Sequence, residues 1–150
     1  MTKIIFVCLG NICRSPMAEF IMKDLVLKAN LSKKFIITSA GTSGYHDGED
    51  MHYKTKALLQ SKNIISNPFT SQKLNAKMCE ENDYIIVMDN ANFNEVSKNF
   101  PQFKEKIKKI TSYALNLGYD EVPDPWYSGD FDETYYILSH SCLNLLQLLK

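Results

Sequence analysis

The sequence predicts a single α/β domain built on a parallel sheet. Short, nearly all-apolar runs alternate with stretches of helical periodicity, the order of a sheet covered by helices. The runs are continuous in the way of strands buried on both faces. The 150 residues carry no internal repeat, low-complexity tract or dividing linker, so residues 1–150 read as one domain.

Each element has its own signal. Lys3 to Cys8 is the first apolar strand, and a Gly-Asn turn follows it. Ser15-Pro16 then reads as an N-cap and a first helical position. Ala18, Ile21, Met22, Leu25 and Ala29 recur at helical spacing, which carries that helix to about Asn30. Phe35 to Ala40 is a second strand, ended by the turn-rich Gly41-Thr-Ser-Gly44. Tyr53 to Lys62 is helical, and Asn75 to Glu81 forms a short capped helix. Tyr84 to Met88 is a third apolar strand, with Asp89 or Asn90 capping the helix beyond it. Lys106 to Ile110 is a weaker strand, and Pro123 to Phe131 is loop by composition. From Asp132 to Lys150 a last helix sets Leu138, Cys142, Leu145, Leu146 and Leu149 on one face.

Composition removes several classes of function. Seventeen basic residues balance seventeen acidic ones, so a protein that grips nucleic-acid backbone is not expected. The apolar run near the start, Ile4 to Leu9, is too short for a membrane span and lacks the form of a secretory signal. A cytoplasmic location and no membrane partner follow as expectations. Four cysteines in a reducing compartment read as free thiols, and the three histidines do not cluster with them as a zinc site requires, so no metal is expected. Cys79 and Cys142 fall in helical patterns and read as small core hydrophobes. Sixteen of the seventeen basic residues are lysine, and Arg14 is the only arginine. Arginine supplies a planar fork that takes phosphate oxygens two at a time, which lysine cannot do.

On an open α/β sheet ligands sit beyond the carboxyl ends of strands, and the first strand ends at Cys8. Five residues separate Cys8 from Arg14 at the start of a helix. Backbone N–H groups of such a loop converge on a tetrahedral anion, and the helix adds its positive end. Gly10 and Asn11 tolerate the unusual dihedrals this loop needs. An electropositive setting favours the thiolate of a cysteine, and a thiolate at the base of a phosphate cradle is a nucleophile aimed at phosphorus. Departure of a phenolate is helped by a proton on its oxygen. Asp124, between Pro123 and Pro125 and beside Trp126 and Tyr127, suits that task, although on residues alone Asp120 and Asp130 are alternatives. Tyr45 and Trp126 can supply the flat sides of a slot for an aromatic ring. His46 and His52 read as solvated loop histidines.

Val7-Cys-Leu-Gly-Asn-Ile-Cys-Arg-Ser-Pro-Met-Ala-Glu19 resembles the signature of the low-molecular-weight protein tyrosine phosphatases. Thr38 to Tyr45 resembles that family's second strand end and pocket loop, and Asp124-Pro-Trp-Tyr127 its general-acid loop. The resemblance covers nearly the whole chain. It implies a four-stranded parallel sheet flanked by helices on both faces, a phosphate-binding loop after strand 1, and hydrolysis of phosphotyrosine or small aryl phosphates without metal or cofactor.

By matching position, Cys8 resembles the nucleophile, Arg14 the phosphate clamp and Asp124 the general acid. Leu9, Gly10, Asn11, Ile12, Cys13 and Arg14 would offer loop amides, and Ser15 the hydroxyl that stabilises the thiolate. Asn11 and Ser39 resemble the pair that holds the loop's shape. Tyr45, Trp126 and Tyr127 resemble the pocket walls, and Cys13 the second cysteine that pairs reversibly with Cys8 on oxidation. A phosphotyrosine protein is the expected partner and a monomer the expected state. The segment Ser66-Asn-Pro-Phe-Thr-Ser71 departs from the family, many of whose members carry a histidine and an arginine there. An altered loop rigidity is expected from it.

Three other functions fit parts of this pattern. Arsenate reductases on the same fold relay electrons through further cysteines near mid-chain, where Cys79 stands alone. Protein-arginine phosphatases tend to have threonine where Ile12 stands; isoleucine favours a phenyl ester over a guanidinium. A non-catalytic phosphate-binding module needs neither the nucleophile Cys8 nor the acid Asp124.

Overall fold

The computed structural model describes residues 1–150. Four strands, β1 (Thr2–Cys8), β2 (Phe35–Gly41), β3 (Tyr84–Val87) and β4 (Ile107–Lys109), form one sheet in the order β2-β1-β3-β4. Every pair is parallel, with Cys8 opposite Gly41 at one end of the register and Val7 opposite Val87. Six helices accompany them: α1 (Arg14–Lys28), α2 (Tyr53–Ser61), α3 (Ala76–Glu81), α4 (Asn90–Asn99), α5 (Pro125–Ser128) and α6 (Phe131–Leu149). None is long and apolar enough to cross a membrane.

Side chains of a strand alternate between faces, and β1 uses both. Ile4, Phe6 and Cys8 join the core that α1 and α6 close with Met17, Ile21, Leu138 and Leu145. Ile5 and Val7 join the opposite core, where Ile85, Val87, Cys79 of α3 and Val96 of α4 pack. This two-sided burial is why the strands read as unbroken apolar runs. The alternation also aims Cys8 toward the start of α1. Because β2 and β3 lie on opposite sides of β1, the chain leaves β1 and β3 toward opposite faces, and a crevice opens between them.

Local signals account for most boundaries. Asn75, Asp89 and Asp130 accept hydrogen bonds from Met78 N, Asn92 N and Glu133 N as N-caps of α3, α4 and α6. Past the end of α1, Asn30 turns left-handed at φ 59°. Three expectations are corrected. Ser15 does not cap α1: the N-cap is Cys13, without a side-chain bond, and Ser15 is the second helical residue with its hydroxyl engaged by Asn11 and Cys8. Pro16 is then the third helical residue, still among the amides that no helical carbonyl could reach. The Pro123 to Phe131 loop contains the single turn α5, capped by Asp124 and ended by Gly129 at φ 74°.

Gly41 marks where β2 crowds the loop after β1. A Cβ there would lie 2.8 Å from the carbonyl oxygen of Leu9 and 3.0 Å from that of Ser43. Both obstacles are backbone, so Gly41→Ala should destabilise the fold by about 1–3 kcal/mol, as overpacking does. Urea unfolding measures this, and an unchanged midpoint would show that the loop is free to yield.

Candidate active site

Between β1 and α1 the chain turns through Leu9 to Cys13. Asn11 carries the strained step, at φ 55°, which asparagine tolerates better than most residues. Gly10 does not have positive φ. Its lack of a side chain serves space instead, since a Cβ would meet the His46 ring at 3.2 Å.

The Asn11 side chain is fully engaged. The backbone N–H of Gln72 donates to Oδ1 at 2.9 Å, which fixes the orientation of the amide. Nδ2 therefore donates twice, to Ser15 Oγ at 2.8 Å and to Ser39 Oγ at 3.0 Å. Ser39 in turn donates to Glu19 Oε1 at 2.6 Å, and Lys23 neutralises that buried carboxylate. The Ser15 oxygen accepts from Asn11 and lies 3.0 Å from Cys8 Sγ and 3.4 Å from the carbonyl of Ala40. Toward a Cys8 thiolate, which only accepts, the hydroxyl is the donor. Ser15 thus stands behind the nucleophile, and it does not line the cavity.

Where many family members place a histidine and an arginine, this chain supports the loop with Ser71 and Gln72. Ser71 Oγ donates to the carbonyl of Asn11 at 2.7 Å, and Gln72 Nε2 to that of Ser39 at 3.0 Å. Local pattern assigns no role to Gln72, nor to Glu19, a carboxylate that closes the signature segment among the apolar positions of α1.

Arg14 is almost wholly buried, with 3% of its side chain exposed. Nη1 donates to Asp89 Oδ2 at 2.7 Å and to the carbonyl of Val122 at 2.9 Å. Asp89 uses its other oxygen to cap α4, so one carboxylate joins the clamp to the opposite face of the sheet. Burial opposes the guanidinium charge, but Cys8, Asp124 and Asp89 outweigh it and hold the pKa above its ordinary value. On the other edge of the fork only Asp124 Oδ2 approaches, at 3.5 Å. That edge remains for an anion. Asp124 Oδ1 meanwhile accepts from Trp126 N at 3.0 Å, which ties the carboxylate to α5.

A cavity of about 320 Å³ opens over this arrangement. Cys8, Arg14 and Asp124 line it with the predicted Leu9, Gly10, Ile12 and Cys13, and Tyr45, Trp126 and Tyr127 stand around its mouth. Asn11 and Ser39 lie behind the loop, as a supporting pair should. Asp120 is turned away and paired with Lys109.

His46 departs from its expected place. Its side chain is only 18% exposed, lines the cavity and packs edge-on against Tyr45. His52 is no free loop residue either: it caps α2 and lies against Trp126 and Phe131, and burial lowers its pKa. No trio of histidine, cysteine and carboxylate side chains is gathered as a metal site.

A cysteine and an arginine brought to one anion-binding loop at the carboxyl end of a parallel strand define a cysteine-dependent phosphatase. The profile of the family described as low molecular weight phosphotyrosine protein phosphatase matches residues 3–150. The chain belongs to that family. The low molecular weight protein tyrosine phosphatase from Campylobacter jejuni is 64% identical, with 99% of this chain and 96% of that one covered and a TM-score of 0.80. YfkJ from Bacillus subtilis, a low molecular weight protein-tyrosine-phosphatase, is 36% identical over 99% of this chain and 94% of its own, with a TM-score of 0.95. A drosophila arginine phosphatase shares the fold at 31% identity, 99% and 98% coverage and a TM-score of 0.91.

The remaining thiols are held neutral. Burial, then the nearby Cys8 and Asp124, push Cys13 up to about 12. Burial raises Cys79 to about 11, and raises Cys142 also. Because these folded-state values exceed the ordinary 9.0, the stability they contribute is intact below that pH. It is lost as pH climbs through about 11 and about 12. Iodoacetate at neutral pH should accordingly alkylate Cys8 alone in the folded protein, and all four cysteines in urea. Mass spectrometry counts the adducts, and rapid neutral-pH labelling of Cys13 would contradict the account.

Proposed function

We propose that residues 1–150 act as one protein-tyrosine phosphatase domain, with Cys8 as nucleophile, Arg14 as phosphate clamp and Asp124 as general acid and base. The observation that carries this reading is the convergence of Cys8 Sγ, the edge of Arg14 that only Asp124 approaches, and the Asp124 carboxylate itself on one aromatic-walled cavity.

The reaction runs in two displacements. Cys8 Sγ attacks phosphorus in line, forming an S–P bond as the bond to the phenolic oxygen breaks. Amides from Leu9 to Arg14 and the free guanidinium edge hold the three equatorial oxygens, and Asp124 gives its proton to the departing phenolate. Water then enters where the phenol left. Asp124 takes a proton from it, the new oxygen bonds to phosphorus, and the S–P bond breaks to release phosphate and the Cys8 thiolate. Ser15, donating to Sγ, stabilises the thiolate as nucleophile and again as leaving group.

Tyr45 and Trp126 fit the flat faces of a phenyl ring, and Ile12 lines the slot with hydrocarbon, which favours a phenolic ester over a guanidinium. Phosphotyrosine in a protein, or a small aryl phosphate, is the substrate class, and the enzyme works as a monomer without cofactor. Four buried cysteines, none in a disulfide, suit the reducing cytoplasm. Cys13, on the same loop, is the partner for a reversible disulfide with Cys8 under oxidation.

Two substitutions test the roles on a pair of esters. Cys8→Ser should abolish turnover of both while leaving a folded protein that binds phosphate. Asp124→Ala should cost roughly 10²- to 10⁴-fold on phosphotyrosine, whose phenol has a pKa of about 10, and markedly less on an activated nitrophenyl ester. Equal loss on both esters, with the differential loss appearing for Asp120→Ala or Asp130→Ala, would move the acid elsewhere.

A further inference from the structure

The charges in the cavity do not favour its ligand. A phosphate monoester arrives as a dianion. The cradle meets it with Cys8, a thiolate in the proposed reaction, and a single guanidinium, and that guanidinium already faces Asp89 at 2.7 Å and Asp124 at 3.5 Å. All sixteen lysines lie outside the lining. Apart from Arg14, His46 is the only lining residue able to carry positive charge.

His46 is held as a ligand-facing group rather than as a loose surface ring. Its Nδ1 lies 2.9 Å from Glu49 Oε2, and a carboxylate only accepts, so Nδ1 carries a proton. The opposite edge, Cδ2 and Nε2, faces the cradle at Gly10, 3.2 and 3.9 Å from where a Cβ would be. Tyr45 meets the ring edge-to-face at 4.8 Å between centroids, and the Trp126 ring lies 6.2 Å away. The supporting loop is pinned as well. Ser71 N donates to the carbonyl of Glu49 at 2.8 Å and Gly48 N to that of Ser71 at 3.0 Å. Ser71 is the residue that also anchors Asn11, so one segment fixes His46 and the cradle relative to each other.

We propose that His46 is the second cation of the phosphate pocket: an imidazolium braced by Glu49 that turns its Nε2–H toward the bound dianion. With an anion on each side, both ring nitrogens donate, the arrangement only the imidazolium can satisfy. The assignment rests on the phosphatase reading of the same cavity and adds a binding determinant to it. Its role is in affinity for the charged group.

Other titratable groups surround the ring. Asp47 shares its loop, with Lys73 beyond it over Gly44. Cys8, Cys13 and Arg14 face it from the cradle, Asp124 and Tyr127 from the acid loop, and His52 lies behind Trp126. A probe of constant charge and a fixed-charge variant separate His46 from these.

Sulfate is dianionic throughout the working range and competes for the phosphate site. Its inhibition constant should be measured for the wild type, His46→Gln and His46→Lys at about pH 6. There His46→Gln should bind sulfate about three- to tenfold more weakly than wild type, the effect of one charge across a partly solvated slot. His46→Lys, which restores a cation, should retain tight binding. With aryl phosphate the His46→Gln loss should fall on KM more than on kcat. Equal sulfate affinity of wild type and His46→Gln, or an equal deficit of both variants, would overturn the proposal and leave His46 a packing residue. Failure of the wild type to bind sulfate at all would overturn the phosphate-cradle reading along with it.

Discussion

Asn11 holds a left-handed backbone at φ 55° while its side-chain amide serves three partners, and the geometry of the site follows from that one residue. The amide, oriented by Gln72, makes acceptors of Ser15 and Ser39 and holds the Ser15 hydroxyl 3.0 Å from Cys8 Sγ. Left-handed backbone costs about 1–2 kcal/mol, and three hydrogen bonds at roughly 1 kcal/mol each offset it. The network is buried, so breaking one member strands its partners without water, which costs more than the bond itself contributes.

Around that scaffold the charges are arranged sparingly. Arg14 is locked along one edge by Asp89 and the Val122 carbonyl, which leaves the other edge preorganised for an anion. Asp89 caps α4 with its second oxygen, so the helix on one face of the sheet positions a side chain that starts the helix on the other. Order β2-β1-β3-β4 makes this possible, since it sets the ends of β1 and β3 side by side, with Arg14 after one and Asp89 after the other. Function therefore rests on topology as much as on the signature loop.

Much of this was legible beforehand, for stated reasons. Doubly buried strands have apolar runs, and amphipathic α6 has its leucine face, so class and element order could be read directly. Cys8 and Arg14 could be named because nucleophile and clamp require particular residue types across one loop. Asp124 stands beside Asp120 and Asp130 until the resemblance singles it out; of the three, the cavity lining includes Asp124 alone. The gaps have a common cause. Asp89, Gln72, Glu19 and His46 act through contacts between segments distant in sequence, and nothing in local spacing reports where they meet. Ser15 reads as a cap from the local pattern and as a partner of Cys8 from the resemblance, because a hydroxyl at a helix start has two uses; the contact with Cys8 decides for the second. Gly10 was assigned to backbone freedom, whereas the requirement is room for His46.

The central claim is that the side-chain amide of Asn11 sets the shape of the cradle. Inorganic phosphate binding to Asn11→Ala, measured by calorimetry beside the melting temperature, tests it most directly. Phosphate affinity should fall at least about tenfold, one decade for every 1.4 kcal/mol of lost preorganisation, while the protein remains folded. Affinity retained within about twofold of wild type, with the bonds to Ser15, Ser39 and Gln72 removed, would show that the loop holds its form without Asn11 and would contradict the account.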